Sequence, residues 1–231
     1  MSTNYTAFLD FLMPEVPGCS TEMALQALSN AIIEFCQDTR CFTYEPAAID
    51  IVANQRDYTL TPSSGNNIVD CLYAAVNGDP IFPATDDMLD IAFPPSTGNN
   101  TTGTGNGNDN WRLITTTDDP PAYYQFTDLG RGTIRLIKTP SVSYTGGLTV
   151  KVALTPLRAT RVIPDTIYEN HVDDILHGAK AILYAMPRKP WSDPVRAQSE
   201  QQQFNYVKGN LDAAASRAFT RAPLRSKTCY R

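Results

Sequence analysis

TIYENHVDDILHGAKAILYAMPRKPW, residues 166–191, is the stretch whose reading decides the fold. Val172, Ile175, Leu176, Ala179, Ile182, Leu183 and Met186 recur at three- and four-residue steps, which places them on one face of a helix. Asp165 or Thr166 is positioned to cap its start. With Thr166 as the cap, Glu169 falls at capping-box spacing. Pro187 and Pro190 stop the helix. A second start follows at once, with Ser192 or Asp193 as cap and Pro194 where a first helical residue needs no N–H. This helix runs toward Phe219, with Ala197, Phe204, Val207, Leu211, Ala214 and Ala218 on its buried side. The short proline-rich turn predicts an antiparallel helix pair.

Toward the N-terminus, a short lead ends in a turn at Pro14, Pro17 and Gly18. Ser20 or Thr21 then caps a helix through Thr39, whose apolar stripe is Met23, Ala24, Ala27, Leu28, Ala31, Ile32, Phe35 and Cys36. After Cys41 the period changes. FTYEP, IDIVA and RDYTL are short and rich in β-branched and aromatic residues. NIVDCLYAAVNGDPIFPA reads as two strands around an Asn77-Gly78 hairpin turn. DDMLDIA fits a short helix or a strand. Residues 94–110 contain no apolar residue except proline and read as an exposed, mobile loop. Strands resume at 111–114, 122–126, 132–139 and 148–155. In the third of these, Ile134, Leu136 and Lys138 share one face, and Gly146-Gly147 precedes the fourth as a turn. The expected class is α+β. Residues 1–40 and 157–231 form a discontinuous helical bundle of one N-terminal helix and a C-terminal pair, and 41–156 form an inserted antiparallel β domain.

The 231 residues suffice for one large or two small domains. No apolar run reaches the roughly 18–20 residues of a membrane span, and the first residues lack the basic start of a secretory signal. The five cysteines, Cys19, Cys36, Cys41, Cys71 and Cys229, form no C-x-x-C pair and read as free thiols in a reducing compartment. The net charge of −5 is unevenly spread. Residues 1–156 carry seventeen acidic against seven basic side chains, and residues 157–231 carry seven against twelve. The end is the most basic part, with Arg217, Arg221, Arg225, Lys227 and Arg231 after the last acid, Asp212. Such a tail suits an acidic surface, nucleic acid or plain solvation.

Residue chemistry points away from catalysis. His171 and His177 flank Asp174, but the two histidines are six apart, whereas a zinc helix needs them four apart with a glutamate. They read as polar positions on the outer or subunit-facing side of the bundle. No Gly-x-Ser-x-Gly elbow exists, and no histidine partner for a cysteine is evident. Gly103, Gly105 and Gly107 neither follow a strand nor precede Gly-Lys-Ser/Thr, so they make no phosphate loop. The same loop lacks the bidentate glutamate of a calcium site. Asp86, Asp87 and Asp90 read as a solvated acidic cluster. No catalytic, cofactor or metal residue is assigned, and the expectation is a non-enzymatic structural or binding protein.

Two stretches carry a family resemblance. FLDFLMPEVPGCSTEMALQALSNAIIEFCQDTRCFTYE, with its Pro-Glu-Val-Pro-Gly-Cys turn and the Ala31-Ile-Ile-Glu-Phe-Cys36 helix, resembles the opening of head-to-tail adaptor (connector) proteins of tailed bacteriophages. VALTPLRATRVIPDTIYENHVDDILHGAKAILYAMPRKPWSDP resembles their C-terminal helices, with the Met-Pro-x-Lys-Pro-Trp-Ser-x-Pro junction. Together they cover roughly a third of the chain, in the right order. The 94–110 loop departs from the family pattern. The resemblance implies a helical bundle carrying a β-sandwich-like domain. It also implies a ring of twelve copies on the portal protein, at the head-tail junction of the virion after assembly in the host cytoplasm. That ring extends the channel through which packaged DNA passes without sequence-specific binding, and offers a platform to tail nozzle or tail-tube proteins. Family members anchor through an extended C-terminal arm. Here that is residues 220–231, with Leu224 and Tyr230 as apolar anchors among Arg221, Arg225, Lys227 and Arg231. The alternative is a β-rich soluble binding module that recognises a ligand in a tail or at a surface.

Overall fold

The computed structural model of the protein describes residues 2–92, 117–118, 121–128 and 132–216. The helices are α1 (Leu9–Leu12), α2 (Thr21–Thr39), α3 (Asp86–Ala92), α4 (Asp165–Tyr184) and α5 (Pro194–Ser216). The strands are β1 (Ser2–Asn4), β2 (Thr43–Tyr44), β3 (Ile49–Ile51), β4 (Asp57–Thr59), β5 (Asn66–Val76), β6 (Asp79–Pro83), β7 (Thr117–Asp118), β8 (Tyr123–Asp128), β9 (Thr133–Ile137), β10 (Thr139–Pro140), β11 (Tyr144–Pro156) and β12 (Val162–Pro164). The chain is a mixed α+β protein of two compact units. One comprises the residues through Phe42 and from Thr155 onward, and the other is Thr43–Leu154.

In the first unit α2, α4 and α5 pack on one another. The Ser20 hydroxyl accepts the Met23 N–H at 3.4 Å and starts α2. Ala24, Leu28, Ala31, Ile32 and Phe35 then line its buried face. Arg40 ends the helix in the left-handed region, at φ 52° and ψ 23°, with its N–H on the Cys36 carbonyl at 3.2 Å. At α5 the Asp193 carboxylate accepts the Val195 and Arg196 N–H groups at 3.1 and 3.0 Å, ahead of Pro194 in the first turn.

The capping box expected at Thr166 and Glu169 does not form. Helix α4 begins at Asp165, two residues earlier than a Thr166 cap would start it, with Pro164 at the cap position and no side-chain cap. The reason lies in the lead, which is structured rather than a mere approach to the first turn. Strand β1 pairs antiparallel with β12, and the Thr3 hydroxyl donates to the Asp165 carboxylate at 2.6 Å. A short 3-10 turn before α1 then buries Tyr5 and Phe8, and α1 buries Leu12, in the same core as the helices.

Gly178 sits mid-helix in α4, where glycine costs about 1 kcal/mol against alanine. A Cβ there would lie 2.8 Å from Cζ of Phe204. The missing side chain lets the fully buried Phe204 ring of α5 lie directly on α4. Burial of that ring, about 2–3 kcal/mol, more than offsets the propensity loss.

The second unit contains a sheet ordered β2-β11-β5-β6-β8-β9-β4, with β3 also on β11. The hairpin turn is at Asn77 and Gly78, φ 51° and 90°, as the Asn-Gly pair predicts, and sets Val76 opposite Asp79. DDMLDIA is helix α3. Three expectations need correction. The unit is not purely antiparallel, because β6 runs parallel to β8 and β7 parallel to β10. Strands β6 and β8 are joined through α3 and a long further connection rather than a hairpin, which lets the chain return in the same direction. Gly146-Gly147 is not a turn before a strand. It lies inside β11, where the pairing to β3 shifts register between Tyr144 and Leu148 and Gly146 takes φ 61°. Alternation in β9 stops early as well. Ile134 and Leu136 are buried as expected, but Lys138 turns to φ 60° and Ile137 is buried against Leu89.

The 94–110 loop and the strand expected at 111–114 lie outside the described residues, as do the end of the last helix toward Phe219 and the arm. Among the described residues, no helix is long and apolar enough to cross a membrane.

Candidate functional site

The residues assigned to the arm, Arg221, Leu224, Arg225, Lys227, Tyr230 and Arg231, all lie outside the described residues. Within the helical unit, polar side chains gather at three places.

The first is a cleft of about 460 Å³ between the C-terminal end of α2 and the outer face of α5, lined among others by Asp38, Arg40, Asn205, Lys208 and Asp212. Lys208 follows the helical period of Phe204 and Leu211 closely enough that its stem is buried. Its side chain lines the cleft. There it donates to Glu34 at 2.5 Å and to Asp38 at 2.8 Å, and stands 4.5 Å from the centre of the Phe204 ring. Burial pushes the Lys208 pKa down, but the hydrogen bonds to Asp38 and Glu34 outweigh it and leave the group above its ordinary value. An ammonium held between two carboxylates is a poor base and a poor nucleophile. The cleft suits polar contact with another surface rather than reaction.

The second place joins the two turns. Trp191 lies 4.0 Å from where a Cβ on Gly18 would stand. The Tyr184 hydroxyl is 3.4 Å from the Glu15 carbonyl and 3.2 Å from its carboxylate. Lys180 reaches Glu15 at 3.4 Å and Glu200 at 3.7 Å, and Glu200 also receives His177 Nδ1. The Pro14–Cys19 segment is therefore held to the end of α4 by the polar contacts of Glu15, and Trp191 stands beside Gly18.

The third place surrounds His171. It interrupts the regular geometry of α4, at φ −134° and ψ 22°. Asp174 holds its Nδ1 at 2.9 Å, and its ring lies 5.3 Å from that of Phe35. The ring is thus packed against the core, not simply outward as expected. What the sequence hides is spatial. His171 meets Phe35 only because α2 packs on α4. Among the described residues, no group of three or more His, Cys, Asp or Glu side chains is arranged to hold a metal ion.

No family model matches the chain, and no curated protein matches it at a significant level.

Proposed function

We propose that this protein is a non-enzymatic head-to-tail adaptor of a tailed bacteriophage, a ring of twelve copies seated on the portal at the virion's head-tail junction. One observation carries the reading. The two stretches that resemble adaptors, far apart in sequence, lie almost wholly in one packed unit, and Trp191 of one junction stands beside Gly18 of the other. A resemblance due to chance composition has no reason to be spatially coherent. In this reading the helical unit is the small bundle, the sheet unit is the inserted β-sandwich-like domain, and the neutralised cleft at Lys208 is a side-to-side contact between copies. The isolated chain is a monomer or a weak oligomer, and the ring closes on the portal through a head-to-tail cyclic interface. Packaged DNA passes through the ring, and tail nozzle or tail-tube proteins dock beneath it.

The arm, residues 220–231, anchors the ring by ordering on the portal. The cost of fixing it is about 1–2 kcal/mol per residue. Leu224, Tyr230 and the arginines Arg221, Arg225 and Arg231, with Lys227, are the side chains that offset this cost. The test is a pull-down on purified, DNA-free portal with the full chain and with a chain truncated after Phe219. The full chain should be retained and the truncated one lost. Equal retention would remove the arm from the account. Retention that depends only on charge count and falls steeply with salt would assign the arm to DNA instead.

A second reading, a β-rich binding module, is favoured by exposed apolar side chains in the sheet unit: Tyr73, Phe82, Met88 and Ile91. It predicts no affinity for portal with or without the arm.

A further inference from the structure

Helices α2 and α5 run in the same direction. The Phe35 and Phe204 rings stack at 6.3 Å, and one turn further along both helices Asp38 meets Lys208. Both C-terminal ends therefore point the same way, and each presents the negative pole of its helix dipole. Neither helix carries a basic residue in its last turn to offset that pole. The cleft lies at this end. Its carboxylates are Asp38 and Asp212, with Glu34 beside them, and its cations are Arg40 and Lys208. Three carboxylates against two cations leave one negative charge over, on top of the two helix poles. Gly209 lines the same cleft. Glycine inside a helix weakens it, and Gly178 has its reason in the Phe204 ring. A Cβ at Gly209 would meet nothing within 4 Å among the described residues. Its bare backbone leaves the cleft open to the close approach of another segment.

We propose that this cleft is the docking site of the chain's own basic segment, residues 217–231. That segment holds Arg217, Arg221, Arg225, Lys227 and Arg231 and no acid, so its charge is opposite to that of the cleft. It starts where α5 hands over after Ser216, about 10 Å along the helix axis from Gly209. Fifteen residues span up to about 50 Å when extended, so the return path is short. Pro223 is the point at which the segment leaves the helix direction. Its guanidinium groups then take Asp212 and the last carbonyls of α2, and Leu224 gives it an apolar body to lie over Gly209. The inference deepens the adaptor reading and rests on it in one respect, that the portal is what displaces the segment. In the free chain the segment closes the cleft to other copies. On the portal the segment leaves, a neighbouring copy enters the cleft, and ring closure follows docking.

The experiment applies trypsin to the full folded chain at low ionic strength, without portal. Cleavage after Arg221 and Arg225 is timed against the same bonds in a synthetic peptide of residues 217–231. The docked segment should be cut about tenfold more slowly than the peptide, and the protection should fall as salt rises. Gly209→Leu fills the cleft at a position where a new side chain has room, and Asp212→Asn removes a carboxylate that docking uses. Each should bring the rate back toward that of the peptide. Carbodiimide coupling of an equal mixture of light and isotopically heavy chains should join Lys227 to Asp38 or Asp212 within one copy, with the Lys208–Asp38 contact as the control. The inference is overturned if the native chain is cut as fast as the peptide, if protection survives both substitutions, or if the Lys227 links join a light copy to a heavy one. No portal takes part, so such a result leaves the adaptor reading standing, and a failure to bind portal leaves the docked segment standing.

Discussion

The helical unit and the sheet unit are held by different kinds of contact. In the helical unit, single side chains tie together residues far apart in sequence. Phe204 closes on Gly178, Trp191 on Gly18, Thr3 on Asp165, and Lys208 on Glu34 and Asp38. In the sheet unit, much of the shape is set locally. Left-handed residues at Asn77, Gly78, Lys138 and Gly146 place a turn, a strand end and a bulge. The teaching is that removing one contact should spread widely in the first unit and stay near its origin in the second.

The largest expected effect is from Phe204→Ala. It deletes a fully buried ring and should cost about 3–5 kcal/mol. Hydrogen exchange should then rise across α2, α4 and α5 together and leave β5, β6 and β9 as they were. An equal rise in the sheet strands would make the two units one cooperative block and end the comparison. Next comes Gly178→Ala. Its new methyl would stand 2.8 Å from the buried Phe204 ring, and overpacking of this kind costs about 1–3 kcal/mol despite alanine's better helix propensity. A thermal melt that rises instead of falling would show the ring free to move.

In the sheet unit, Gly78→Ala adds a Cβ that meets nothing, so the whole cost is the strain of φ 90°, about 1–2 kcal/mol. Exchange should rise at β5 and β6 alone. The smallest effect is Lys208→Met, which keeps the buried stem and releases carboxylates that are about half exposed, for about 1 kcal/mol or less. Its pH dependence is the sharper readout. Because the folded pKa is raised, the stabilisation is full below the unfolded lysine value of about 10.4 and is lost as pH rises through the folded value. Native and variant stabilities should therefore converge at alkaline pH. A gap unchanged there would mean that packing alone separates them.

What the sequence makes legible follows the same division. The three long helices are readable because their apolar residues repeat along the chain itself, from Ala24 to Phe35, Ile175 to Leu183 and Ala197 to Phe204. The Asn77-Gly78 turn is readable because two adjacent residues specify it. Partners are not readable. Asp165 looks like a cap, yet it is taken by Thr3, and nothing near position 165 announces strand β1. Lys208 is not in the apolar stripe read along the last helix, and Glu34 and Asp38 on another helix explain its burial. The parallel pairing of β6 with β8 depends on the path of the intervening chain, which residue type does not encode. The site follows suit. His171 reads from the sequence as an outward polar position, and its place against the Phe35 ring arises only through packing.

The adaptor reading meets its most direct test in native mass measurement of the chain mixed with purified portal rings of the bacteriophage to which that reading assigns it. The account predicts a monomer or weak oligomer alone, and one added ring of twelve copies per portal ring in the mixture. A chain that leaves the portal mass unchanged at saturating concentration would contradict it.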